Sequence, residues 1–183
     1  MPKLKVLAIS GSLRAKSSNG TVLDALALVA PPDVEIIRYA GLALLPPFNP
    51  DFDVTPPALP AALRQTVGAI DALVISSPEY AHGIAGSLKN ALDWLVGSLE
   101  FPGTPVAVIN AAPRASHADA QLREILRTMS ATLDPRTTLT LPIQSSGLSA
   151  GDIATNPALA QSLRTMLTGL AQLNAMRRAA VEE

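Results

Sequence analysis

The 183-residue chain contains no cysteine. That absence excludes disulfides, thiolate nucleophiles, zinc–thiolate clusters and iron–sulfur ligation. Aromatic residues make up only 3% of the chain, too few for the stacking platforms that bind single-stranded nucleic acid. The two histidines, His82 and His117, lie far apart in the sequence and make a poor start for a transition-metal site. Neither sign of charge dominates: the formal net charge is -1, and no basic run marks a nucleic-acid surface. No apolar run approaches the roughly 20 residues of a membrane span. Val6-Leu7-Ala8-Ile9, close to the first residue, is shorter than a signal-peptide core, and no small-residue cleavage site follows it. The expectation is a cytoplasmic protein with neither nucleic acid nor membrane as a partner. Any chemistry would fall naturally to a small bound cofactor.

What is present is a core. Hydrophobic residues are 48% of the chain, well above what a disordered protein carries. Lys5 to Ser10 is a near-continuous apolar run that reads as a buried parallel strand. Val22, Leu23, Leu26, Ala27 and Ala30 then recur at helical spacing, stopped by Pro31-Pro32. Further strands are expected at Val34–Tyr39, Ala72–Ser76, Val106–Asn110 and Thr137–Leu141. Helices are expected around Leu59–Ile70, Leu88–Val96, Leu122–Met129 and Leu159–Leu173, followed by a charged tail from Arg177 that frays. Strands alternating with helices predict an α/β fold, residues 1–183 forming one domain, with helices on both faces of a parallel sheet. The first, third and fourth strands are the most apolar, and the second and fifth carry polar residues suited to edges. That predicts a five-stranded, doubly wound sheet of order 2-1-3-4-5. Its topological switch point falls between strands one and three, where ligands bind beside the carboxyl ends of the strands.

Two loops leave the sheet at that point. The first, Ser10-Gly11-Ser12-Leu13-Arg14-Ala15-Lys16-Ser17-Ser18-Asn19, runs from a strand into a helix. Free backbone N–H groups and the positive end of the helix dipole suit a phosphate there. Hydroxyls of Ser12, Ser17 and Ser18 add donors, and Arg14 adds a charge-assisted one. The loop lacks the Gly-Lys-Ser/Thr of a P-loop and the further glycines of a dinucleotide fingerprint. The competing interpretation is a plain helix-capping loop with a solvated Arg14. The second loop, Ser77 to Gly86, contains Pro78 to stiffen it and glycines that allow close approach to a flat ligand. An ordinary connection carrying a buried tyrosine is its bland alternative.

Gly11-Ser12-Leu13-Arg14 with Ser17 and Asn19 matches the GSxRxxSxN loop of the NAD(P)H-dependent FMN reductases. Pro78-Glu79-Tyr80, followed by Leu88-Lys89-Asn90-Ala91-Leu92-Asp93-Trp94, resembles that family's second signature, PEYN then LKNAIDW. Pro46-Pro47-Phe48-Asn49-Pro50-Asp51 is similar to the segment before the family's second helix, and the resemblance extends over about residues 4 to 175. It implies a flavodoxin-like fold, bound FMN, NADPH or NADH as co-substrate, and a homodimer or homotetramer. It also implies site residues. Ser12, Arg14, Ser17, Ser18 and Asn19 hold the FMN phosphate. Pro78, Glu79, Tyr80 and Ala81 line the isoalloxazine, mainly through backbone atoms. Ala81 stands where the family has Asn, and Ala85 where it commonly has Pro. The third loop, Ala111 to His117, lacks the glycines usual in the family.

The implied activity is hydride transfer from nicotinamide, through FMN, to free flavin, a quinone or a similar small acceptor, by a ping-pong mechanism. The flavin carries that chemistry, so no side chain is singled out as catalytic. Arg114 is a candidate for binding the anionic nicotinamide cofactor. His82 and His117 are read as loop and structural residues, and Trp94 as a packing residue. Lys89, Asn90 and Asp93 are expected to support the second loop or a subunit contact. The competing function is a flavodoxin-like electron carrier. Such carriers are strongly acidic and hold flavin between aromatic rings, which this near-neutral, aromatic-poor chain does not suit.

Overall fold

The computed structural model describes residues 3–143 and 147–182. Five parallel strands form the central sheet: β1 (Leu4–Ser10), β2 (Val34–Arg38), β3 (Ala72–Ser76), β6 (Pro105–Asn110) and β7 (Thr132–Thr140). Their order is β2-β1-β3-β6-β7, the order read from strand polarity. The most apolar strands are central because both of their faces must be covered.

Side-chain alternation divides the core into two layers. Leu7 and Ile9 of β1, Leu73 and Ile75 of β3, and Val106 and Val108 of β6 face one side. There they meet α2 (Ala58–Gly68), α3 (Gly86–Val96) and α4 (Ser116–Thr128) through Leu63, Leu88, Leu92, Leu122 and Leu126. Val6, Ala8, Val74, Ala107 and Ile109 face the other side. They pack on α1 (Ser18–Val29), α5 (Ala150–Thr155) and α6 (Pro157–Glu182) through Val22, Leu26, Ile153, Leu163 and Leu167.

Three elements of the sheet and its covering helices differ from the sequence expectation. Strand β7 starts at Thr132 rather than Thr137, with Pro135 inside it. The ladder with β6 skips there, pairing Val106 with Leu133 and then Val108 with Thr138. Buried Thr137 bridges the skip by donating to the Val106 carbonyl at 3.1 Å. The bulge is what admits a proline and two charges, Asp134 and Arg136, to an edge strand. Helix α5 has no counterpart in the periodicity argument, because six residues are too few to show a period. Helix α6 does not fray at Arg177 but continues to Glu182, and Arg178 donates to the Asp71 carboxylate at 2.6 Å. Among the described residues, no helix is long and apolar enough to cross a membrane.

Candidate flavin-binding site

The first loop ends in an uncapped helix. Ser17 occupies the N-cap of α1 with extended backbone, but its side chain makes no capping bond. The first N–H to find its helical acceptor is that of Thr21, bonded to the Ser17 carbonyl at 2.8 Å. The N–H groups of Ser18, Asn19 and Gly20 are the orphan donors of the first turn. No acidic residue stands in that turn to answer the helix dipole. Upstream, the Arg14 N–H is held by the Ser12 hydroxyl at 3.4 Å, while the exposed Arg14 side chain has no protein partner among the described residues.

Asn19 has a different position from its neighbours. It is buried, and its Oδ1 accepts from the Ser76 hydroxyl at 2.8 Å. Ser76 also donates to the Ile109 carbonyl at 2.9 Å. This network ties the start of α1 to the ends of β3 and β6. Asn19 also lines the cavity between the loops, and its amide NH2 makes no hydrogen bond among the described residues.

The second loop is a β-hairpin, β4 (Glu79–Tyr80) against β5 (Gly83–Ile84). Its two turn residues, Ala81 and His82, have φ of 49° and 60°. Two successive left-handed residues match a type I′ turn, which ordinarily recruits Asn or Gly. Two hydrogen bonds with α4 hold the hairpin in place. The Glu79 carboxylate accepts from the Ala118 N–H at 2.9 Å, and Gln121 accepts from the Ile84 N–H at 2.8 Å. At the turn, the imidazoles of His82 and His117 stack with centroids 4.3 Å apart. Gly11 lets the two loops meet: a Cβ there would lie 2.7 Å from the Ser77 Oγ. Ser87 on α3 closes the contact by donating to the Gly11 carbonyl at 3.3 Å.

Together the loops wall a cavity of about 770 Å³. Ser12, Arg14, Ser17, Ser18, Asn19, Pro78, Glu79 and Tyr80 all line it. Ala81 does not; it sits at the hairpin tip. Ala111, Ala112 and Ala115 of the third loop form another wall, with Asn110 shaping that loop by accepting from the Ala112 N–H at 2.9 Å. Arg114 and His117 lie outside the lining. The segment after β7 contributes Ile143, Gly147, Leu148, Ser149 and Ile153, none of which sequence reasoning singled out. The available signal was Ser149-x-x-Asp152, a capping-box pattern. The residues suit FMN: orphan donors and a guanidinium for a dianionic phosphate, and a roomy, half-apolar cleft for a flat ring.

The Leu88-to-Trp94 motif works behind the site. Asn90 accepts from the Phe48 N–H at 2.7 Å and donates to the Pro46 carbonyl at 2.9 Å. Fully buried Trp94 donates to the same carbonyl at 2.9 Å and packs edge-on against Phe48. Asn90 therefore supports the long proline-rich loop rather than the second loop. Lys89 and Asp93 bond to each other at 2.6 Å.

Comparison with known proteins identifies the family. The family model described as NADPH-dependent FMN reductase matches residues 4–145. The chain belongs to that family. As a family member it is an oxidoreductase whose cofactors are FMN and NAD(P)H. An NAD(P)H-dependent FMN reductase of Pseudomonas aeruginosa is 40% identical over 130 residues, which are 67% of this chain and 69% of that protein. A quinone reductase of Escherichia coli K12 is 36% identical over 110 residues, 58% of each chain. Among solved structures, the flavoenzyme NAD(P)H:(acceptor) oxidoreductase FerB of Paracoccus denitrificans superposes with a TM-score of 0.78 at 25% identity. That match covers 94% of this chain and 98% of FerB. The flavodoxin-like fold of the FMN reductases is thus the fold of this chain.

Proposed function

We propose that this member of the family carries FMN in the cavity between the first and second loops and passes reducing equivalents from NADH or NADPH to a quinone, free flavin or similar small acceptor. The observation that carries this is the uncapped start of α1, which opens with unpaired Arg14 into the cavity shared by both motif loops. The 5′-phosphate is held by the N–H groups and hydroxyls of Ser17 and Ser18, the Ser12 hydroxyl, the Asn19 amide and the Arg14 guanidinium. Pro78, Glu79 and Tyr80 frame the ring, with Ala81 setting the turn behind them. FMN, when bound, supplies the hydride-accepting and hydride-releasing chemistry.

The protein's own contribution is position and access. Glu79 holds the hairpin to α4, so the loop walls stay fixed while donor and acceptor exchange. Beside the flavin cleft lies a smaller cavity of about 400 Å³, bounded by Leu13, Arg14, Tyr80, Ala85 and Gly86. Its apolar walls suit a flat acceptor. Donor and acceptor use this one opening in turn, which makes turnover ping-pong. A homodimer or homotetramer is supported by exposed Phe52, Val54, Val96 and Leu99. They flank one contact, where a Cβ on Gly97 would collide with the Asp53 carboxylate.

The test is anaerobic. Purified protein is saturated with FMN and mixed with NADH or NADPH while flavin absorbance is followed. Bleaching, then recovery of colour on adding a quinone, is expected. If neither nucleotide bleaches the flavin without a second enzyme, the chain is an electron carrier and the reductase proposal fails.

A further inference from the structure

Arg14 stands at the meeting point of three cavities. Two are the flavin cleft and the acceptor cavity described above. The third, about 320 Å³, lies on the far side of the first loop, between the start of α1 and the carboxyl end of β2. It shares Ser12, Arg14, Ala15, Ser17 and Thr21 with the flavin cleft, so the two flank the same loop. Nothing in the flavin proposal uses its remaining residues.

Those residues form a consistent chemical set. Arg38 ends β2, and its side chain is 34% exposed. Its Nε lies 3.3 Å from the Asp24 carboxylate on α1. Both terminal guanidinium nitrogens lack a protein acceptor among the described residues. One of them lies 3.9 Å from where a Cβ on Gly20 would stand, beside the first turn of α1. Burial lowers the Arg38 pKa and Asp24 opposes that shift, so the guanidinium keeps its charge in a partly desolvated place. Asp24 is itself 58% exposed and offers carboxylate oxygens to the cavity. The opposite wall is apolar, from Leu42, Ala43 and Leu13.

A forked cation, a carboxylate acceptor and an apolar wall correspond to the three parts of a nucleotide. A guanidinium binds phosphate oxygens, a carboxylate accepts from ribose hydroxyls, and a flat base covers apolar surface. The volume is at the small end of ligand cavities and suits a mononucleotide, not a whole dinucleotide. We propose that the cavity at the end of β2 is a nucleoside-monophosphate subsite, which holds the adenylate half of a dinucleotide whose reactive half lies at the flavin cleft. Arg38 is its phosphate-binding residue and Asp24 its ribose-binding residue. This rests on the flavin proposal for the reactive half only; the cavity and its side chains stand apart from it.

Two dinucleotides carry that chemistry, NAD(P)H and FAD, and the experiment separates them. The probe is 5′-AMP, titrated by calorimetry into FMN-loaded protein, into FAD-loaded protein and into apoprotein. Arg38→Gln and Ala43→Trp are compared with the parent; both positions are on the surface, so each variant should fold. Saturable AMP binding to the FMN-loaded protein is expected. Arg38→Gln should weaken it roughly tenfold or more, the loss expected for one charge-assisted bond. Ala43→Trp should abolish it by filling the cavity. FMN affinity should be the same in all three proteins, because the flavin cleft is untouched. If the subsite serves NAD(P)H, both variants raise KM for the nicotinamide cofactor and AMP competes with it. If it serves FAD, AMP fails to bind the FAD-loaded protein and both variants weaken FAD but not FMN. AMP binding that is absent, or indifferent to both variants, overturns the proposal. A protein that binds AMP but no flavin keeps the subsite and defeats the flavin proposal instead.

Discussion

Two helices begin on the same cavity with a serine at the N-cap, and they begin differently. At α5, the Ser149 hydroxyl accepts from the Asp152 N–H at 3.1 Å, and the Asp152 carboxylate accepts from the Ser149 N–H at 2.8 Å. This is a complete capping box, and the helix meets its own needs. At α1, the Ser17 side chain bonds nothing in the helix and no acid follows it. A protein able to cap six-residue α5 leaves twelve-residue α1 open. Helices α2, α3 and α4 also lack a side-chain cap. What sets α1 apart is that its open start shares a cavity with Arg14, whose side chain has no protein partner among the described residues; that is where the phosphate is proposed to sit.

The sharpest way to break the comparison is to give α1 its own carboxylate. Ser17→Asp supplies a good N-cap and a negative charge where the phosphate is proposed to sit. Like charges brought together cost several kcal/mol, so FMN affinity should fall by roughly a thousandfold. Apoprotein melting temperature should hold or rise. Thermal melts and fluorescence titration with FMN read both. Unchanged FMN affinity would move the phosphate away from α1.

Arg14→Ala tests the other half of the same site. Losing one charge-assisted bond removes about 1.5–3 kcal/mol, or roughly one to two orders of magnitude in FMN affinity. Riboflavin, which lacks the phosphate, should lose far less. Equal losses for both ligands would take Arg14 off the phosphate.

At α5 the same kind of change should act on folding and not on ligand. Ser149→Ala removes the capping hydroxyl and should destabilise the protein by about 1 kcal/mol in urea unfolding. FMN affinity should hold although Ser149 lines the cavity, since its hydroxyl is engaged with Asp152. A large loss of FMN binding with intact stability would reverse the roles assigned to the two helix starts.

The contrast between these helices also shows what a sequence can disclose. Sheet order was legible because burial on two faces demands apolar strands at the centre, and β1, β3 and β6 state that demand plainly. The first loop was legible as a candidate site because its serines and arginine stand together in the chain, and they line one cavity. The hairpin was not. Glu79–Tyr80 and Gly83–Ile84 are too short to alternate, and Ala81-His82 is no ordinary turn pair. Its anchors, Ala118 and Gln121, come from α4, far along the chain. The wall after β7 was missed for a related reason. Only tertiary contact brings Ile143 and Ile153 to the cavity. The motif around Asn90 and Trp94 was legible as a motif but not as a support for Pro46, because sequence does not say which loop a buried donor meets.

The smallest expected effect is in acid, and it isolates the carboxylate of the α5 cap. The Ser149 hydroxyl, donating at 2.6 Å, and the Ser149 N–H hold the Asp152 carboxyl below its ordinary pKa, with burial opposing them weakly. A carboxyl whose folded pKa is lowered adds stability above its unfolded value, near 3.9, and that stability is lost as pH falls through the folded value. Asp152→Asn keeps the size of the side chain and removes the titration. Parent and variant should therefore differ in melting temperature at neutral pH and converge as pH drops below about 4. Asp134 also titrates in acid, held down to about 2 chiefly by hydrogen bonds from Arg136. It is present in both proteins, so it cancels in the difference. A melting-temperature gap that stays constant into strong acid would mean that the Asp152 charge adds nothing to the cap and that the Ser149 hydroxyl alone closes α5. The two helix starts would then differ by a single hydroxyl's choice of partner rather than by a charged pair.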